Sequence, residues 1–387
     1  MKRSLVFAFL FLSLSLSARA GVVTTVAGIP GIPGYWDGPA TDAMFTHPTW
    51  IDVVAHSSAS YSCEGGRSGE IFVVDRINGL IRRIGPDGFV TTFAVKTPLD
   101  FDSAFGGGIL VEPPGSGCGC GIYARGIFVS STGGQQVKLL AFDGSLASRD
   151  AQIILGTAGN AGSRDGYGSE AAFRLPSGIG RSWKYVGSVP AQSSGQSLYI
   201  ADSGNHTIRR TGFILSFEAC PQNLNVQTLA GSPGEPGSAD GKGRAARFNT
   251  PRGVAGAPDG SVYVSDSGNH TIRRIAPDGT VTTVAGEAGV PGSNDGPALQ
   301  AHLNTPSGID VNEKGEVFIA DTFNHTIRML TTDGQLITIA GQPGIGGFAD
   351  GDSSTALFNA PVGLKIAPDG SIVIADTSNN VIRRLTR

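Results

Sequence analysis

The chain is 387 residues long and 16% charged, with 57 glycines, 22 prolines and a formal net charge of −3. Binding to a nucleic-acid backbone rests on clustered Lys and Arg, so this mildly acidic composition argues against a nucleic-acid partner. So many glycines in a chain of this length direct attention to internal repeats.

Residues 1–20 read MKRSLVFAFLFLSLSLSARA. Lys2 and Arg3 precede an apolar run from Leu5 to Leu16, and Ala18-Arg19-Ala20 supplies a small-x-small cleavage pattern, which together describe a secretory signal peptide. The run is too short to cross a bilayer. Its removal takes away three basic residues and no acid, so the balance over 21–387 becomes −6. The last residues, NNVIRRLTR, are polar and basic, without a lipid-anchor signal. The expectation is a secreted protein, extracellular or periplasmic if bacterial, with no membrane insertion.

The first element after that segment is VVTTVAG at 22–28, a Val/Thr-rich strand. Next comes a block marked by a D-G pair at Asp37 and by Pro48, then the signature Asp-x-x-Asn-x-x-Ile-Arg at Asp75 to Arg82. Both recur. D-G and proline return at Asp165 and Pro176, Asp240 and Pro251, Asp295 and Pro306, and Asp350 and Pro361. The signature returns at Asp202, Asp266 and Asp321, with DSGNHTIRR spelled identically at 202–210 and 266–274. A fifth copy, DTSNNVIRR from Asp376, reads as shifted by one residue. Signature aspartates lie 64, 55 and 55 residues apart from Asp202 onward. The long interval between Asp75 and Asp202 holds a degenerate copy, GIFVSSTGGQQVKLLAFDG, with Ser131 in the aspartate position.

Six units result, each parsing into four short strands separated by Gly, Pro, Asn and Asp. In the fourth they are GVAGA, SVYVS, HTIRRI and TVTTVAG. Such spacing marks the blades of a propeller. The sixth unit lacks its fourth strand, and VVTTVAG can supply it. The fold class expected is therefore all-β: a six-bladed β-propeller of four-stranded blades, one domain over 21–387, closed by the N-terminal strand completing the last blade.

The wording TTVAG…DG…F-N-x-P-x-G-I…D-x-x-N-H-x-I-R resembles NHL repeats, in particular those of secreted and extracellular NHL propellers. The resemblance covers residues 22–387, closely in units four to six and poorly in unit two. It implies a propeller that binds a protein or small extracellular ligand, without catalysis or cofactor. A second reading on the same architecture is a lactonase-like or amidating-lyase-like propeller with calcium or zinc in the central channel.

His206, His270 and His325 occupy equivalent turns in three adjacent units, which raises a metal triad. Strands in a blade are about 4.8 Å apart, so these turns should sit very roughly 10 Å from the axis, too far for three nitrogens to share one zinc. The reading adopted is turn-forming: the aspartates (Asp75, Asp202, Asp266, Asp321, Asp376) cap the turn, the asparagine takes positive φ, and His begins the third strand. The paired arginines, such as Arg273 and Arg274, are expected to bond loop carbonyls and the signature aspartates. Asp37, Asp165, Asp240, Asp295 and Asp350 are read as turn formers. Amidating lyases carry metal histidines after the proline that opens the innermost strand; those positions here are Thr49, Ser177, Arg252, Ser307 and Val362. The channel candidates for an ion are Asn249, Asn304 and Asn359, amide oxygens without an accompanying acid. Asn205, Asn269 and Asn324 each open an N-H-T sequon. No nucleophile elbow, phosphate loop or H-E-x-x-H motif occurs.

Cys63, Cys118, Cys120 and Cys220 match no zinc spacing and fit two disulfides in an oxidising compartment. Each falls in a connection on the bottom of units one to three, where those units are enlarged. One bond is expected from Cys63 to Cys118 or Cys120, the other from the remaining cysteine to Cys220.

Overall fold

A computed structural model describes residues 21–54, 69–93, 99–101, 106–111, 125–142, 153–182, 197–211 and 224–387. The sequons, signature turns and D-G pairs lie within these residues; the apolar run of 1–20 and all four cysteines lie outside them.

Blade four shows how the sequence builds a unit. Its strands are Pro251–Gly256, Val262–Asp266, Thr271–Ile275 and Thr280–Ala285, antiparallel and in chain order from the inside outward. Each contains β-branched residues at positions that face a neighbouring blade. Two A-P-D-G turns join them at the bottom, with Gly260 and Gly279 at φ of 80° and 86°, a conformation that L side chains disfavour. Asp259 accepts from Ser261 N at 3.0 Å to fix the first of these turns.

The sheets have one strand more than the repeat suggests. In five blades the glycine of the D-G pair and the residue after it form a two-residue strand on the outer strand, as Gly241–Lys242 does with Val281 and Thr280. Asp240 then accepts from Thr283 N at 3.1 Å further along the same edge. An outer edge that would offer bare N–H groups is thereby partly covered.

Six blades stand around one axis, and the described core divides into six apolar clusters, one in each gap between neighbours. Blade six is completed by Val22–Ala27, which pairs antiparallel with Val381–Thr386, Val23 opposite Leu385 and Thr25 opposite Arg383. Gly351–Asp352 covers its outer side. The expected closure is what the sheet contains.

Two alignments are clarified by register. The copy from Asp376 is in phase, not shifted: Asp376 pairs with Val381 as Asp266 does with Thr271, and Arg383 stands where Arg273 does. Asn380 simply replaces the histidine. In blade two Ser131 pairs with Gln136 as Asp202 pairs with Thr207, which puts Lys138 in the arginine position.

Deleting residues 22–28 removes this strand and exposes Leu385 and Ile382, both buried. A fall in melting temperature of roughly 5–15 °C is expected from the loss of several hydrogen bonds and buried side chains. Thermal unfolding followed by circular dichroism checks it; an unchanged midpoint would contradict closure through this strand.

Candidate functional site

Each signature wires three parts of a blade together. In blade three Asp202 Oδ1 accepts from Arg174 N, which fixes the segment entering the inner strand, while Oδ2 accepts from Asn205 Nδ2 and from Arg209, each at 2.8 Å. Asn205 also donates to the Gly162 carbonyl at 2.6 Å and so holds the top loop. Arg209, with no exposed surface, donates further to the Ala172 and Arg164 carbonyls and to Asp165. Its guanidinium lies 5.1 Å from the Phe173 ring centroid. Arg82, Arg273, Arg328 and Arg383 repeat the bonds to the signature and D-G aspartates.

Both carboxylates facing each arginine are therefore structural. Burial pushes Asp202, Asp266, Asp321 and Asp376 up to about 6, against the pull of the arginine and amide donors. The D-G aspartates, read from sequence as turn formers, have this second duty. Only the first arginine of each pair is buried; Arg274 and Arg384 pair with Asp259 and Asp369 near the surface.

The histidines join one blade to the next. Nδ1 of His206, His270 and His325 accepts from the backbone N–H of Thr250, Thr305 and Ala360, each at 3.0 Å. Asn380 does the same for His47 N at 2.9 Å and Gln135 for Leu175 N at 2.7 Å. The residue whose N–H is held precedes, in every case, the proline of the next inner strand, and has φ between 48° and 54°. The clasping residue has φ of 58° or 59°. Here the sequence reading is corrected: the positive φ belongs to the residue after the asparagine, because the asparagine sits in a single 3-10 turn and needs its amide for the aspartate and the loop. The third strand begins at the following threonine.

A second clasp acts on the proline itself. The residue after the signature aspartate donates its hydroxyl to the proline carbonyl of the next blade: Thr322 to Pro361 at 2.8 Å, Thr377 to Pro48 at 2.7 Å, Ser203 to Pro251 and Ser267 to Pro306. In blade one the two clasping positions are Arg76 and Gly79, residues that cannot repeat this pair of bonds.

The inner strands pack edge to edge around the axis. A Cβ at Gly108, Gly178, Gly253, Gly308 or Gly363 would collide with the carbonyl of Ser177, Arg252, Ser307, Val362 or Thr49 on the next inner strand, so these strands stand shoulder to shoulder. Gly308 N donates to Val362 O across that gap at 2.7 Å. Trp50 occupies the corresponding position of blade one, is 7% exposed, and its indole reaches Gly178 of blade three. Sequence reasoning passed over Trp50, although P-T-W-I-D against P-S-G-I-D marked it. Lower on the inner strands, Lys365 Nζ stands 3.2 Å from Asp310 and 3.8 Å from Asp52. Burial raises Asp52, and Lys365 and Arg181 pull it back; burial would lower Lys365, but Asp310 and Asp52 raise it. Asp52 and Asp310 also accept from Val111 N and Ile366 N of the following blades.

The ion candidates are each tied through their backbone to their own blade. Asn249, Asn304 and Asn359 each give their backbone N–H to their own signature aspartate at 2.7 Å, and the Asn249 amide bonds Gly268 in its own turn. Thr49, Ser177, Ser307 and Val362 are buried, and burial lowers Arg252 to about 10. Among the described residues no three His, Cys, Asp or Glu side chains are placed to share a metal ion, and no helix is long and apolar enough to cross a membrane. The sequon amides of Asn205, Asn269 and Asn324 are buried and each donates twice.

An accepting Nδ1 requires a neutral imidazole, and burial lowers His206, His270 and His325 below their ordinary value. A lowered folded value means that stability is present above the unfolded pKa of about 6.5 and is lost as pH falls through the folded one. The buried aspartates have raised values and act in the opposite sense. A comparison with His206→Asn, His270→Asn and His325→Asn combined, patterned on Asn380, isolates the imidazoles. Between pH 7.5 and 5.5 the parent should lose more stability to urea than the triple variant. His270→Ala, which leaves Thr305 N without this partner, should cost about 1–3 kcal/mol at pH 7.5.

The family model described as the Teneurin NHL domain matches residues 181–295. SUPPRESSOR OF QUENCHING 1 of Arabidopsis thaliana is 29% identical over 60% of this chain and 22% of its own length. NHL repeat-containing protein 2 of Homo sapiens is 24% identical over 79% of this chain and 42% of its own. The chain thus spans less than half the length of these relatives. A solved structure from Bacteroides thetaiotaomicron, of unknown function, superposes with a TM-score of 0.63 over 95% of this chain and 76% of that one at 20% identity, a likeness of fold. With repeat wording, register and blade count in agreement, the chain is a six-bladed β-propeller whose repeats are similar to NHL repeats.

Proposed function

We propose that the protein is an exported, non-catalytic propeller that binds a protein or small extracellular ligand on the face carrying the D-x-x-N-H turns and the Gly/Pro-rich loops. The observation that carries this reading lies in the inner strands: their backbones stand shoulder to shoulder, Asp52 and Asp310 face Lys365, and among the described residues no three His, Cys, Asp or Glu side chains are placed to share the ion a lactonase-like or lyase-like propeller would need. The signature aspartates and asparagines support it too, since their carboxylate oxygens and amide donors are used within the blades. What the fold leaves unspent lies on the loops.

Metal analysis of the purified protein tests the reading. Calcium and zinc are expected well below one equivalent, and a chelator should leave the melting temperature unchanged. A stoichiometric ion whose removal destabilises the protein would favour the hydrolase or lyase reading.

A further inference from the structure

The loops of the top face are built alike but not dressed alike. At the position two residues before the D-G aspartate, the loops entering blades three, four and five carry Ser163, Ser238 and Ser293, whereas those entering blades six and one carry Phe348 and Tyr35. Three residues earlier, Asn160 and Glu235 contrast with Ile345 and Ile32. In the turns, Gly204 and Gly268 correspond to Phe323. The scaffold therefore accepts polar or small residues at each of these places, although the Phe348 ring centroid also lies 4.6 Å from the Arg383 guanidinium.

They are also exposed: Tyr35 at 71%, Trp36 at 67%, Phe323 and Ile345 at 50% and Ile32 at 47%. Hydrogen bonds join the segments that carry them into one arc. Gly344 N bonds Asn324 O beside Phe323, Asn379 bonds Gly347 O with its amide and Gly31 N with its carbonyl, and Asn78 Nδ2 bonds Gly34 O. The last contact brings in the blade-one turn, where Ile77 is also exposed. Apolar side chains gathered in this way over three adjacent blades mark an interaction surface.

The charge beneath the arc selects the partner. As in blades three and four, blades one, five and six each set two carboxylates against one guanidinium, and of these Asp37, Asp295 and Asp350 remain partly exposed while Asp75, Asp321 and Asp376 are buried. Residues 28–47, 286–305 and 341–361 contain no Lys or Arg to offset the excess, while 156–175 and 231–250 bring Arg164, Arg174, Lys242, Arg244 and Arg247 to the other side of the ring. Near the arc Arg76 stands half-buried in the blade-one turn. Resting on the binding-propeller reading above, we propose that the arc over blades five, six and one docks a basic peptide segment of a partner protein, its aliphatic side chains on Ile345, Ile32 and Trp36 and its Lys or Arg groups over the aromatic faces and the carboxylates.

Two synthetic peptides of equal length, alternating Leu with Lys or Leu with Glu, serve as probes, with calorimetry and Trp36 fluorescence as readouts. The Lys peptide should bind at least tenfold more tightly than the Glu peptide and weaken with added salt. Tyr35→Ser with Trp36→Ser, and separately Ile32→Ser with Ile345→Ser, should each weaken binding at least tenfold with melting temperature unchanged, whereas Arg244→Ser should leave it intact. Equal binding of the two peptides, no binding, or indifference to both double variants would overturn the proposal. So would a dimer of this protein abolished by the same variants, which would assign the arc to a second copy. The metal analysis above decides the binding-propeller reading separately, so a peptide-blind but metal-free protein would sink the peptide and leave that reading standing.

Discussion

A guanidinium without exposed surface must have its charge met inside the protein, since an uncompensated buried charge costs several kcal/mol. Five blades here bury such an arginine, and most of what is regular in them follows from it. The signature aspartate supplies one carboxylate and the D-G aspartate another, so the loop between blades has to travel down the outer edge to deliver the second. Two carbonyls accept from the same terminal nitrogens, Nε bonds the D-G aspartate at Arg383 and has no hydrogen-bond partner at Arg82, Arg209, Arg273 and Arg328, and in four blades a phenylalanine ring covers the cation. The short outermost strand is a by-product of that route, laid down where the D-G pair meets the edge. Blade two, which has Ser131 and Lys138 in place of Asp and Arg, also has no fifth strand among its described residues.

The second tier of order is between blades. A residue before proline is disfavoured in the α region, yet in five blades, all but the second, the one before the inner-strand proline is held left-handed. Its N–H is bound by a side chain from the preceding blade and the proline carbonyl by a hydroxyl from the same turn. The turn that closes one blade therefore fixes where the next begins, and the ring inherits its regularity from a local contact repeated. Apolar packing in the gaps supplies most of the stabilisation, while these polar contacts set the registration of one sheet against another.

Much of this was legible in the residues and some was not. Spacing alone revealed the blade count, the four main strands and the strand that completes blade six, because each depends on periodic patterns that one sheet can satisfy in one way. The arginine contacts were legible as chemistry, since a buried cation beside repeated aspartates has few alternatives. The left-handed residue was misplaced by one position: asparagine is the usual occupant of that conformation, but here its amide is committed to Asp and Gly partners, and histidine takes the strained place. The inter-blade role of the histidines could not be read, because their partner is a backbone N–H with no side-chain identity. Trp50 was visible as a departure from Gly in the pattern, and only the close approach of the inner strands gives that departure a meaning.

Closure through Val22–Ala27 also sets an order of events. Its partner strand, Val381–Thr386, is far along the chain: the Thr386 hydroxyl bonds the Val22 carbonyl across a separation of 364 residues. During synthesis the early strand emerges long before anything exists for it to pair with, and blades one to five can form while it waits. Contacts of such range are slow to make, and this pairing joins the strands farthest apart among the described residues. For a chain made from its N-terminus, the closing pair can form only after Val381–Thr386 has been synthesised, so a chain cut short before that strand leaves the ring unclosed.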